Sequence, residues 1–501
     1  MKLFLKKAGL LLLLFVFFAA ACLSSTIEVQ AASQPEFTKK TITIVKGKTK
    51  KIKVLNAKRR VKWSTTNKKI AYVRKKNGKK KQIAVIKAGK KTGTCYIKAK
   101  IGKKTIKCKV TVKKARKPAI DKEFIDGISE FSFRLFKQTA GSETDPDTNI
   151  LISPDSVVTA LGVTKNGASG KTLDEMEKAL GGIASGKFNK NLSKLNKKLS
   201  GSNGFIYSVS NSIWARENLV KPLPSFLNIN KKYYKSDYYC VPFNNETVTD
   251  INNWVYKKTR KMIKQIIRNS DLNKDTRMII INTIAFEGEW QKQFDKNRST
   301  RMTFTSKRGT AGKTLMLRDT DHYEYFKVNK GKAFVKYYKY GNKGGGIAFV
   351  GILPPKDVSI EKYVASLDGK AFISSWNKRT LKRIDLALPE FSYDYSTELT
   401  GSLKALGIKK AFTNSADFSK MAERTPETPA LKISKVLHKT HIELDANGTK
   451  AAAATAVMME KAGVAIGQEP IKMFFNRPFV YALVDADTGI PLFIGQVNKI
   501  R

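Results

Sequence analysis

Histidine and cysteine are scarce: 501 residues hold three histidines, His322, His438 and His441, and four cysteines, Cys22, Cys95, Cys108 and Cys240. His438 and His441 are three apart in a stretch of strand spacing, so their side chains leave opposite faces, and no Cys/His spacing assembles a metal-ligand set. The chain also lacks a Gly-x-Ser-x-Gly elbow and a phosphate-cradling glycine loop, which sets aside the common hydrolase and nucleotide-binding sites. No catalytic residue, metal or cofactor is therefore expected. Long apolar runs are missing too, except Leu10 to Ala21 behind Lys2, Lys6 and Lys7. That is the basic-then-apolar pattern of an export leader, too short to span a bilayer comfortably.

Two further absences are local. From Glu36 to Lys117 there is one acidic residue, Glu36, against 32 Lys and Arg, so this stretch supplies +31 of the chain's +53. From Gly448 to Glu469 there is no proline, and the first half, Lys450 excepted, is small or β-branched. Alanine, methionine, glutamate and lysine favour a helix there. Against that, Val436, His438, Thr440, Ile442 and Leu444 alternate just upstream as a strand does, so a loop between strands stays open.

What is present divides the chain. With 42% hydrophobic and 10% aromatic residues it can build real cores, which excludes disorder throughout. Residues 1–31 read as a signal peptide, with small residues at Val29-Gln30-Ala31 before the cut. Ala19-Ala20-Ala21-Cys22 is a degenerate lipoprotein box, and lipidation of Cys22 would instead tether the chain to a membrane. The expected location is extracellular, with cell-surface association open. Residues 32–114 carry short alternating runs, Thr41 to Val45, Lys50 to Leu55, Ile70 to Val73, Ile83 to Ile86, Cys95 to Ile101 and Thr105 to Val112, punctuated by Gly47, Asn77-Gly78, Gly93 and Gly102. They predict a small, strongly basic all-β sandwich. A turn at Ile101-Gly102 would place Cys95 opposite Cys108, where a disulfide could form; a turn at Gly102-Lys103 would offset them and forbid it. Residues 115–121 are a linker, and 122–501 a larger α+β domain. Its first helix carries Phe124, Ile128, Phe131 and Leu135 on one stripe, a second opens at Ser153-Pro154, and a third at the capping-box pattern Thr172-Leu173-Asp174-Glu175.

Val61-Lys62-Trp63-Ser64-Thr65-Thr66-Asn67, Ile70-Ala71-Tyr72-Val73 and Cys108-Lys109-Val110-Thr111-Val112 resemble bacterial immunoglobulin-like domains of the BIG2 type. The resemblance implies a spacer or adhesion module. Its charge would attract polyanions, and on an exported chain the expected one is an anionic cell-wall polymer or host glycan. Specific nucleic-acid recognition is not expected, because lysines dominate and there is no recognition helix or stacking platform.

From about residue 122 onward the chain resembles the serpins. The motifs are Asn149 to Ser156, Asn211-Ser212-Ile213-Trp214, Asn282 with Phe286, Gly288 and Trp290, Leu388-Pro389-Glu390-Phe391, then Gly448-Thr449-Lys450-Ala451-Ala452-Ala453-Ala454-Thr455 and Phe475-Asn476-Arg477-Pro478-Phe479. The resemblance implies a serpin fold, with helices around a large central sheet and a reactive loop at about 446–471. It implies a monomeric suicide inhibitor of serine proteases, not an enzyme; the alternatives are a non-inhibitory serpin acting as a carrier or chaperone, and a surface glycan-binding protein whose basic β domain does the work with the serpin as cargo. The protease cleaves the loop, becomes covalently trapped, and the hinge, Gly448 to Thr455, inserts into the sheet. Counted from Thr449, the inserting side chains would be Ala451, Ala453, Thr455 and Val457, none charged. Family spacing places the scissile bond at Ala462-Gly463, suited to elastase-like or subtilisin-like enzymes; one residue earlier, Lys461-Ala462 would suit a trypsin-like one. Ser153, Ser156, Asn282 and His438 match the family's latch beneath the parting strands. Ala446 and Lys450 depart from the family's usual acidic residues, which leaves the inserting face small.

Overall fold

The computed structural model describes residues 34–113, 120–200, 205–272, 276–340, 346–423, 431–449 and 469–500. The chain divides into two compact units, Met1–Lys117 and Pro118–Arg501.

In the N-terminal unit two four-stranded sheets face each other. One has the order β1 (Glu36–Phe37), β3 (Thr49–Leu55), β6 (Ile83–Ala88), β5 (Ala71–Asn77); the other β2 (Thr41–Val45), β8 (Lys104–Lys113), β7 (Gly93–Ile101), β4 (Val61–Thr65). Period-two alternation builds the core: Ile52, Val54, Trp63, Ile86, Ile97, Cys108 and Val110 point inward while lysines point out. The indole N–H of Trp63 donates to the Lys81 carbonyl at 2.8 Å, so the ring is buried without an unpaired donor. Of the eight strands, β1, two residues long, and β4, whose inward residues are Val61 and Trp63, have no counterpart among the expected alternating runs.

The disulfide does not form. The β7–β8 hairpin turns at Gly102-Lys103, pairing Ile101 with Lys104, so Cys95 lies opposite Val110 and Cys108 opposite Ile97. Both thiols are free and buried, and burial pushes the Cys108 thiol up to about 11.

The C-terminal unit is α+β. Its first helix, Lys122–Gly141, buries Phe124, Ile128, Phe131 and Leu135, the expected stripe, with Phe133 and Phe136 beside them. Helix Pro154–Lys165 begins as its sequence requires: Ser153 caps it by accepting the Ser156 N–H, and Pro154 occupies the first turn. The third helix corrects its expectation. It spans Gly170–Ala179, with Thr172 inside it and Ser169 at the cap. Glu175 instead accepts the N–H groups of Lys409 and Lys410 at 2.8 and 2.6 Å, and Thr172 accepts that of Asp417, so the pattern serves tertiary contacts.

One sheet has the order β21 (Ile471–Phe474), β17 (Thr380–Pro389), β14 (Ala311–Val328), β15 (Gly331–Tyr337), β16 (Ile347–Leu353), β22 (Phe479–Asp485), β23 (Pro491–Val497), β9 (Ile150–Ile152), with β13 (Thr300–Thr305) on β14. The second sheet runs β11 (Asp237–Val241), β10 (Phe205–Arg216), β12 (Met278–Glu289), β20 (Gly448–Thr449), β19 (Leu437–Leu444), β18 (Phe391–Glu398). On β19 the expected alternation holds: His438, Thr440, Ile442 and Leu444 are buried. Around Trp214, Trp254, Ile251 and Ile281 a separate small core seats helix Asn245–Lys258 against β10 and β12.

Candidate functional site

β12 is paired to β10 along its length, from Gly288 with Phe205 to Met278 with Ala215, and β19 is paired to β18 from Leu444 with Phe391 to Leu437 with Glu398. Between β12 and β19 stand the two residues of β20: Gly448 opposite Glu289, and Thr449 opposite both Gly288 and Leu444. Among the described residues nothing else bridges them, so most of the two facing strand edges has no ladder partner. Unpaired strand edges inside a sheet leave backbone donors and acceptors open to another strand. A cavity of about 20 Å³ lies in the gap, lined by Ile284 and Phe286 of β12, Thr440 and Ile442 of β19, and Thr449.

The start of β20 is fixed by local chemistry. Asp445 accepts the N–H groups of Asn447 and Gly448 at 2.8 and 2.9 Å, the self-bonding turn that aspartate favours. Trp290 clamps this turn, its indole N–H donating to the Asp445 carbonyl at 3.0 Å and its backbone N–H to that of Asn447 at 2.8 Å. The Ala446 N–H donates to Glu390 at 3.2 Å; burial, aided by the Asp445 charge, holds that carboxyl above its usual range. Gly448 is dictated by close approach, since a Cβ there would sit 2.1 Å from the Gly288 carbonyl oxygen. Thr449 is 3% exposed and faces inward, its hydroxyl 2.6 Å from that of Tyr338, whose ring stacks on Trp290.

Beneath the gap the structure brings together Ser153, Ser156, Asn282 and His438. The Ser153 N–H donates to His438 Nε2 at 3.0 Å and its hydroxyl to the Leu492 carbonyl at 2.9 Å. The Ser156 hydroxyl donates to Asn282 Oδ1, the Asn282 side-chain amide donates to Asn211 Oδ1 at 2.7 Å, and that of Asn211 to the Tyr234 backbone carbonyl at 2.8 Å. One polar thread thus ties the helix Pro154–Lys165 to the strands on either side of the gap. Full burial drives the His438 imidazole down to about 4, so it is neutral and accepts. Next to Ser156, Asp155 is also fully buried; burial raises its carboxyl to about 6 while the Tyr207 hydroxyl donates to it at 2.5 Å.

Other residues singled out from sequence stand apart. His441 leaves the opposite face of β19 from His438 and pairs with Asp394 at 3.0 Å, and His322 lies on β14. Lys450 to Thr455, Lys461, Ala462 and Gly463 lie outside the described residues. Sequence reasoning noticed Asn211, Trp290 and Glu390 without giving them roles, and missed Tyr338 altogether. No local signal distinguishes Tyr338 from Tyr337 and Tyr340; burial beside Trp290 does.

Fold and site together define a class: an α+β protein whose central sheet holds two strands apart with a stub of a third. A family model described as serpin (serine protease inhibitor) matches residues 126–500. An uncharacterized serpin-like protein of Thermococcus kodakarensis is 30% identical over 384 residues, 75% of this chain and 86% of that one. Neuroserpin of Gallus gallus is 26% identical over 385 residues, 74% and 90% of the two chains. Among solved structures, the thermophilic serpin tengpin in its native state is 36% identical with a TM-score of 0.69, covering 76% of this chain and 95% of that one. Tengpin in its latent state matches at 34% and 0.65, covering 76% and 99%. The chain belongs to the serpin family, whose members are generally protease inhibitors rather than enzymes.

Proposed function

We propose that this chain is an exported suicide inhibitor of serine proteases. The carrying observation is β20: Gly448 and Thr449 stand between β12 and β19, in register with both, with Thr449 facing inward and, among the described residues, no other ladder partner along the two facing edges. Continued at strand parity, Ala451, Ala453, Thr455 and Val457 would follow Thr449 into the sheet interior, and each added residue would satisfy backbone groups that have no ladder partner among the described residues. The protease would cleave at Ala462-Gly463 and be carried along as an acyl adduct. The elastase-like or subtilisin-like class follows from the small residue before that bond. Lys461-Ala462 remains the alternative, with a trypsin-like target.

The test is to mix the purified protein with a pancreatic-elastase-type enzyme and with trypsin, then run denaturing gels and intact mass spectrometry. A complex that survives denaturation, with a released peptide starting at Gly463, supports the reading; a peptide starting at Ala462 moves the target to trypsin-like enzymes. Clean cleavage by both enzymes, no adduct and an unchanged melting temperature of the cleaved form would overturn it in favour of a non-inhibitory serpin. For the N-terminal unit we read an immunoglobulin-like module that holds the exported inhibitor near an anionic polymer, the net +31 of residues 36–117 being its support.

A further inference from the structure

We infer that the outer face of the β2-β8-β7-β4 sheet is a docking surface for an anionic polysaccharide, with Tyr96 as its sugar-stacking centre. This rests on the polyanion reading of the N-terminal unit and narrows it to one face and one chemistry.

Strand parity assembles the face. Cys95, Ile97 and Ala99 of β7 are buried, so Tyr96, Lys98 and Lys100 point outward. Cys108, Val110 and Val112 of β8 are buried, so Lys107 and Lys109 point outward. Register sets Lys109 directly opposite Tyr96, Lys107 opposite Lys98, and Lys62 of β4 opposite Lys100. Adjacent strands lie about 4.8 Å apart and alternate residues about 6.8 Å apart along a strand, so these cations form a compact lattice. Like charges directly opposite each other across strands are destabilising. Nothing within the unit relieves them: among the described residues no lysine or arginine from 34 to 113 is in an ion pair, and the one carboxylate of the stretch, Glu36, is on the other sheet. An external polyanion is the missing counter-charge.

The face also says which polyanion. Tyr96 is 41% exposed within the lysine lattice, unusual for an aromatic on a charged sheet face. A ring with a polar tip suits the face of a sugar. Around it are hydroxyls matched to sugar hydroxyls: Thr41 lies opposite Lys109, and the Thr94 and Thr111 hydroxyls are 3.3 Å apart. The four strands carry no arginine, so the planar fork that grips phosphates in pairs is absent. Single-stranded nucleic acid is held by successive aromatics, whereas this face offers a single ring. Carboxylate or sulfate groups on pyranose rings fit best.

The test uses the full two-domain protein and measures binding to alginate and chondroitin sulfate, with dextran, polyphosphate and an oligothymidylate as comparators, at several salt concentrations. A Lys98→Gln, Lys107→Gln, Lys109→Gln triple variant should bind alginate at least tenfold more weakly, and lower the slope of log affinity against log salt by about 2. Tyr96→Ala should weaken alginate and chondroitin sulfate several-fold while leaving that slope and polyphosphate binding unchanged. Thermal melts check that the variants fold, and the lysine variant is expected to melt no lower than the parent. If Lys51→Gln, Lys53→Gln and Lys75→Gln on the opposite sheet weaken binding as much, the face is wrong although the polyanion reading stands. If Tyr96→Ala changes nothing, or polyphosphate or oligothymidylate binds as tightly as alginate, the sugar chemistry is wrong. If the parent binds none of the polymers, both this inference and the polyanion reading fail, and inhibition of proteases is untouched by that result.

Discussion

Two buried groups beneath the gap pull stability in opposite directions with pH. His438 has its folded value lowered from 6.5 to about 4, so the unfolded chain binds its proton first and stability falls as pH drops through that window. Asp155 has its folded value raised from 3.8 to about 6, so the folded chain binds its proton first and stability falls as pH rises through that window. At about 1.4 kcal/mol for each tenfold change in proton affinity, either group amounts to about 3 kcal/mol, and the two nearly cancel between about pH 4 and 6. Relative to the parent, urea midpoints across this range should therefore fall more steeply with rising pH in His438→Gln, and more steeply with falling pH in Asp155→Asn. Thr449→Val should cost about 1–3 kcal/mol in the same assay, because it leaves the Tyr338 hydroxyl buried without its partner. Thr449→Arg goes further, placing a charge in the sheet interior; it should turn adduct formation into plain cleavage on a denaturing gel. At this scale the sequence showed which residues belong together only through resemblance. Ser153, Ser156, Asn282 and His438 are far apart in the chain, and no spacing rule links them. Tyr338 was invisible because one tyrosine in a run of three is chosen by packing alone.

Elements were more legible, since alternation and helical stripes are local. β19, the core-facing stripe of helix Lys122–Gly141 and the Ser153 cap are all written in their own residues. The failures came where a local pattern competed with a tertiary one. Thr172 and Glu175 satisfy backbone groups from residues 409–417 instead of a helix end. The β7–β8 turn could have closed at either of two positions, and one residue of difference decided against a disulfide. Oxidant or reductant should accordingly leave the melting of the N-terminal unit unchanged, which calorimetry with and without a reducing agent can check. For β20 the element-scale expectation concerns its growth. Ala453→Pro would remove a ladder donor from the lengthening strand, so protease adducts should drop at least tenfold relative to cleaved product, with the uncleaved protein melting as the parent does.

Across the whole molecule, charge and periodicity change abruptly after residue 117 in the sequence, and the two compact units are Met1–Lys117 and Pro118–Arg501. The open sheet was not legible, because a gap between strands is a property of what is left unpaired, and alternation reads the same for paired and unpaired strands. On the proposed mechanism the uncleaved protein is held short of its most stable arrangement by a barrier. Cleavage in the loop should then raise the melting temperature of the C-terminal unit by tens of degrees in a scanning calorimeter while leaving the N-terminal transition where it was. The stub itself has a consequence for timing. With Gly448 and Thr449 already seated, the search for register is over before any protease arrives. On that mechanism, cleavage would let a zip close whose first teeth are engaged, free of the loop-closure entropy that a fresh nucleus would require. The race between acyl-bond hydrolysis and entrapment would be set by how many residues remain to be added, which makes the length of the hinge a clock.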